Sequence, residues 1–84
     1  MTSEEILQKL QTVFDSVFVD PVTVTRDLTA KDVEEWDSVL HISLVVAVEE
    51  AFGIKFRVGE VEGTKHVGDF VDLIGKRVAE ARGG

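Results

Sequence analysis

The stretch Asp37-Ser38-Val39-Leu40-His41-Ile42-Ser43-Leu44-Val45-Val46-Ala47-Val48-Glu49-Glu50-Ala51-Phe52-Gly53 decides the fold, because its two readings lead to different architectures. Taken two residues at a time, Leu40, Ile42, Leu44, Val46 and Val48 alternate as a half-buried strand would, and Val and Ile favour strands. Three features predict a helix instead. The run is too long for a typical strand, Leu44, Val48 and Phe52 recur at four residues, and Gly53 stands where a helix ends in left-handed geometry. Asp37 supplies the matching N-cap. The predicted helix, Ser38 to Phe52, carries Val39, Ile42 and Val46 on a face partly turned away from Leu44, Val48 and Phe52. That is more apolar surface than one core needs, which suggests a docking face.

Working outward, Ile6, Leu7, Leu10, Val13, Phe14 and Val17 share one helical face and predict a first helix over Ser3 to Val17. Thr2 and Glu5, three residues apart, form a capping box at its start. Phe18 to Trp36 shows no sustained period and contains Pro21, so it reads as a long ordered loop pinned by Val19, Val22, Val24 and Leu28. A short strand around Val22 to Thr25 is the competing reading. Beyond Gly53, Ile54 and Phe56 look like anchors, and Val58 to Val61 reads as a single helical turn. Val67, Phe70, Val71, Ile74 and Val78 then predict a last helix from about Val67 to Ala81. Gly68 and Gly75 each weaken it by about 1 kcal/mol relative to Ala. Arg82, Gly83 and Gly84 read as a frayed tail. The fold class expected is all-α, a small four-helix bundle of three long helices and one short, forming one domain over 1–84.

A chain of 84 residues supports one hydrophobic core and leaves no room for a cleft between domains. No apolar run approaches the roughly 20 residues needed to span a bilayer. The acidic start Thr2-Ser3-Glu4-Glu5 lacks the pattern of a secretory leader, so a cytoplasmic location and no membrane contact are expected. With no cysteine there is no disulfide and no thiolate metal site. The net charge of −7 argues against nucleic acid as a partner, since phosphates call for Lys and Arg. Between Lys31 and Lys55 there is no Lys or Arg, while Asp32, Glu34, Glu35, Asp37, Glu49 and Glu50 all fall there. This acidic stretch reads either as a solvated face or as a surface for basic partners.

The stretch Glu34-Glu35-Trp36-Asp37-Ser38-Val39, followed by Leu44, Val48-Glu49-Glu50 and Phe52-Gly53-Ile54, resembles the Asp-Ser-Leu region of acyl carrier proteins. The resemblance extends over the chain, and it implies a carrier rather than an enzyme. It implies that Ser38 takes a 4′-phosphopantetheine arm from coenzyme A, with a phosphopantetheinyl transferase supplying the base and the divalent metal. Asp37 would cap the helix and present negative charge to that transferase. Val39, Ile42, Val46, Glu49 and Glu50 match the positions by which carriers dock acyl-loading, condensing or tailoring enzymes through basic patches. A monomer is expected, serving fatty-acid, polyketide or other specialised biosynthesis. The Glu-Trp-Asp-Ser form, with Val39 in place of Leu, looks like stand-alone carriers beside specialised enzymes. The physical logic is independent of the resemblance: a phosphodiester is an anion, and the free N–H groups and positive dipole end of a helix start stabilise one.

Other readings of the same residues remain. Asp37 and Ser38 also suit an ordinary helix start, Ile42 also suits a core position, and Trp36 suits packing the loop onto the helices better than touching cargo. His41 and His66 are the only histidines, and with no Cys, zinc spacing or phosphate-cradling glycine loop an enzyme is not indicated. His41 reads as a solvent-exposed helix residue rather than a general base. The rival from another class is a ubiquitin-like modifier activated at Gly84, for which Arg82-Gly83-Gly84 and the alternation from Leu40 to Val48 speak. It requires strands near the start, where the period is helical. Among relatives, a peptidyl or aminoacyl carrier is the nearest alternative.

Overall fold

The computed structural model describes residues 2–57 and 59–83. Among these, three α-helices form and no strand: α1 (Ser3–Val17), α2 (Ser38–Phe52) and α3 (Val67–Gly83). The absence of strands from the described residues removes the β-grasp that the modifier reading requires; Gly84 itself lies outside them. α2 settles the ambiguity of the central stretch in favour of helix.

Each helix begins for a visible reason. At α1 the Thr2 hydroxyl accepts from Glu5 N (3.2 Å) and the Glu5 carboxylate accepts from Thr2 N (2.8 Å), so two of the unpaired amides of the first turn are satisfied reciprocally. At α2 the Asp37 carboxylate accepts from Leu40 N at 2.9 Å. α2 ends on Gly53 at φ 66°, ψ 38°, where an L side chain would cost about 1–2 kcal/mol. At α3 the loop supplies the partners, because Val67 N and Gly68 N donate to the carbonyls of Leu28 and Arg26, both at 2.8 Å.

α1 packs against both α2 and α3. Ile6, Leu10, Val13 and Phe14 of α1, Leu44 and Val48 of α2, and Val67, Phe70, Val71, Ile74 and Val78 of α3 make one core, joined by Phe18, Ile54 and Val61. Burying such aliphatic and aromatic side chains contributes about 1.5–3 kcal/mol each. Only Leu44 and Val48 of α2 are fully buried; Leu40, Val45, Ala47, Ala51 and Phe52 pack partly against the core, and Val39, Ile42 and Val46 are exposed.

The long connection from α1 to α2 is held by side chains rather than by a sheet. Gln11 of α1 donates its amide N–H to Val22 O (2.7 Å) and accepts from Val24 N (2.9 Å), doing for 22–24 what a neighbouring strand would do. The strand considered around Val22 to Thr25 is therefore not formed, since a side chain already satisfies those backbone groups. Glu35 accepts from Val19 N and Asp20 N (2.9 and 3.2 Å), closing the other end of the loop. A 3-10 turn at Ala30–Asp32, unanticipated in the sequence, is tied by Thr29 and Asp32.

The short helical turn expected across Val58 to Val61 is a 3-10 turn at Val61–Gly63, with Val61 buried as its anchor. Val58 lies outside the described residues. α3 runs to Gly83, beyond the Ala81 end predicted, because no breaker precedes the terminal glycines. Arg77 of α3 is 8% exposed yet charged. Its guanidinium donates to Glu60 and to Glu80, so the burial is compensated and the segment before the 3-10 turn is clamped to α3. The hydrogen bond from Arg77 holds the Glu60 carboxyl below its usual range, and the same contact raises Arg77. Among the described residues no helix is long and apolar enough to cross a membrane.

Candidate functional site

Ser38 is the first residue of α2 and is exposed. Its hydroxyl makes no hydrogen bond among the described residues, and neither do the amides of Ser38 and Val39. The helix thus presents a free hydroxyl beside two free N–H groups at its positive end, a combination that suits an anion carried on the serine. Asp37 contributes through its cap: one carboxylate oxygen fixes Leu40 N, and its carbonyl accepts from His41 N at 2.9 Å. Ser38, Asp37 and Ile42 line one open groove of about 660 Å³ running toward Val61 and Thr64, between α2 and the 3-10 turn.

Three apolar side chains continue from Ser38 along the outside of α2. Val39 is 72% exposed, Ile42 66% and Val46 48%, at a spacing of three and four residues that keeps them in one stripe. The core reading of Ile42 is excluded by that exposure. Glu50 is exposed beside the stripe. Glu49 is half-buried, and its carboxylate accepts from Phe56 N at 2.8 Å, so it also ties the loop after α2.

Of two aromatic residues near Ser38, Trp36 packs the loop onto the helices as its sequence reading expects, and His41 departs from its own. His41, expected to be solvent-exposed, is half-buried because its ring stacks on Trp36 at a centroid distance of 6.1 Å and accepts a hydrogen bond from it. Trp36 also meets Phe14 edge-on (5.3 Å, 85°) and Phe18 (5.8 Å, 65°), anchoring the end of the loop to α1 immediately before the site. The hydrogen bond from Trp36 to His41 joins positions five residues apart across a helix cap, a pairing that no helical period announces. Among the described residues there is no cluster of His, Asp and Glu suited to a metal ion.

No protein-family model matches the sequence. Individual proteins do. The chain is 34% identical over 80 residues to the acyl carrier protein of Thermosynechococcus vestitus, covering 94% of this chain and 99% of that one. It is 36% identical over 75 residues to the acyl carrier protein of Rubrobacter xylanophilus, with 88% and 93% covered. In structure it is similar to a holo acyl carrier protein from Geobacter metallireducens solved by NMR, with a TM-score of 0.75, 36% identity, and 95% and 88% of the two chains covered. Agreement in sequence over nearly the full length of these relatives, with the same helical fold, makes this chain a member of the acyl carrier protein family, a carrier and not an enzyme.

Proposed function

We propose that Ser38 is the attachment point of a 4′-phosphopantetheine arm and that this chain, as one domain, carries an acyl or related group as a thioester on it. The observation that carries the reading is the exposed, unpartnered hydroxyl of Ser38 on the first turn of α2. In the transfer, the Ser38 Oγ–P bond would form as the phosphoanhydride of coenzyme A breaks, with adenosine 3′,5′-bisphosphate leaving and the hydroxyl proton passing to a base of the transferase. Ser38 needs no activating neighbour in this chain, and none is hydrogen-bonded to it. When bound, the arm supplies a terminal thiol that holds cargo as a thioester. Asp37 serves by keeping the α2 start in order and by adding charge for the transferase to read.

The stripe Val39, Ile42 and Val46, with Glu49 and Glu50 beside it, is the proposed docking surface for biosynthetic enzymes with basic patches. Exposed aliphatics flanked by acid favour rapid, charge-steered encounters and short-lived complexes, as a shuttle in the cytoplasm requires. Glu50 and the three aliphatics are free for this, while Glu49 shares its carboxylate with Phe56 N. The test is incubation with coenzyme A, a divalent cation and a broad-specificity phosphopantetheinyl transferase, followed by intact mass. One added arm is expected on the wild type and none on Ser38→Ala; an unmodified wild type contradicts the reading.

A further inference from the structure

Trp36 and His41 flank Ser38 in sequence and meet in space. Trp36 Nε1–H donates to His41 Nδ1 at 3.1 Å, with the two rings stacked at 22°. An indole nitrogen is a donor only, so Nδ1 must be the bare nitrogen of the imidazole and the proton of the neutral ring sits on Nε2. Nε2 has no partner among the described residues. It is also reachable, because no sealed side-chain nitrogen or oxygen there lacks a partner.

His41 follows Ser38 by three residues on α2, which puts their Cβ atoms roughly 5–6 Å apart on one face. Both line the groove between α2 and the 3-10 turn. The other polar side chains of that groove have no proton to offer: Trp36 spends its N–H on His41, Thr64 donates its hydroxyl to Val61 O at 2.6 Å, and Asp37 and Glu62 are carboxylates. His41 Nε2–H is therefore the free side-chain donor beside Ser38, in a groove whose acids repel an anion.

We propose that His41 is a positioning residue for the arm, donating Nε2–H to the phosphodiester on Ser38 and directing the arm along this groove, with Trp36 fixing the tautomer that makes the donation possible. The inference rests on the attachment reading above. A hydrogen bond to an anionic oxygen is about twice as strong as a neutral one, enough to favour one direction of departure.

The test compares apo and holo protein, with attachment of the arm verified by intact mass, using imidazole ¹H–¹⁵N spectra and ³¹P spectra at about pH 8, where an ordinary imidazole is neutral. His41→Asn keeps an acceptor where Nδ1 stood, so Trp36 stays anchored, but removes the outer donor; His41→Gln places an amide near Nε2. The expected result is a proton on Nε2 in the apo protein, a downfield move of that proton on arm attachment, and a ³¹P shift that changes in the Asn variant and returns toward wild type in the Gln variant. A proton on Nδ1, or imidazole signals identical in apo and holo protein, overturns the inference while leaving attachment intact. Absence of the arm by mass would overturn attachment, and this inference with it.

Discussion

Asp37 and Ser38 divide the work of the α2 start, one ordering the turn and the other lying open on it. Asp37→Ala removes the acceptor for Leu40 N and is expected to lower stability by about 1 kcal/mol in chemical denaturation. Ser38→Ala deletes an exposed hydroxyl without partners and is expected to change stability by less than about 0.5 kcal/mol. The pair therefore separates capping from attachment. Both residues were legible in the sequence because a cap is written in adjacent positions. Arg77 was not, since nothing in its neighbourhood announces that Glu60, seventeen residues away, will meet it. That contact fixes a pH dependence. The folded-state pKa of Glu60 is depressed, so its contribution is present above the unfolded carboxyl value and is lost as pH falls through the folded one. Asp69 acts in the same sense, its carboxylate accepting from the amides of Lys65 and His66. Thermal melts of the wild type are expected to fall as pH drops from about 5 to about 3, and Glu60→Gln to show a shallower fall. Equal slopes for the two proteins would remove Glu60 from the account.

Two glycines of α3, Gly68 and Gly75, look alike in sequence and differ in the fold. A Cβ at Gly68 would stand 3.1 Å from the Arg26 carbonyl oxygen, on backbone that the same residue holds through its amide. At Gly75 the nearest atom would be Ile6 Cδ1 at 3.5 Å, an ordinary contact. Gly68→Ala is thus expected to destabilise by about 1–3 kcal/mol. Gly75→Ala is expected to stabilise by about 0.5–1 kcal/mol. Denaturant midpoints check the opposite signs. The same contrast explains what the sequence withheld about the connections. α1 was readable to the residue because its capping box and apolar period are local. The loop from Phe18 to Trp36 was readable only as a loop, because Gln11 and Glu35 organise it through side-chain contacts with distant backbone. Gln11→Ala leaves Val22 O and Val24 N without their partner and is expected to cost about 1–3 kcal/mol.

The α2 stretch joins these levels, since its misleading alternation arises from a helix that is apolar on two sides. Leu44 and Val48 face the core, whereas Val39, Ile42 and Val46 face outward, and Ile42 and Val46 together with Leu44 and Val48 mimic a period of two. A helix that served only the core would have shown a clean stripe, as α3 does. The apolar excess sits beside Ser38 on the same element. The short turn at Val61–Gly63 was mislocated in the sequence because a single buried anchor, Val61, sets no period. Through Val61 and Thr64 that turn forms the far wall of the groove that begins at Ser38. The account as a whole therefore comes down to which atom receives the arm. Fragmentation of the intact modified protein by mass spectrometry locates the added group on the sequence. The account predicts a single arm on Ser38, with Ser3, Ser16 and Ser43 bare; an arm on any other residue, or none after treatment with a competent transferase, would contradict it.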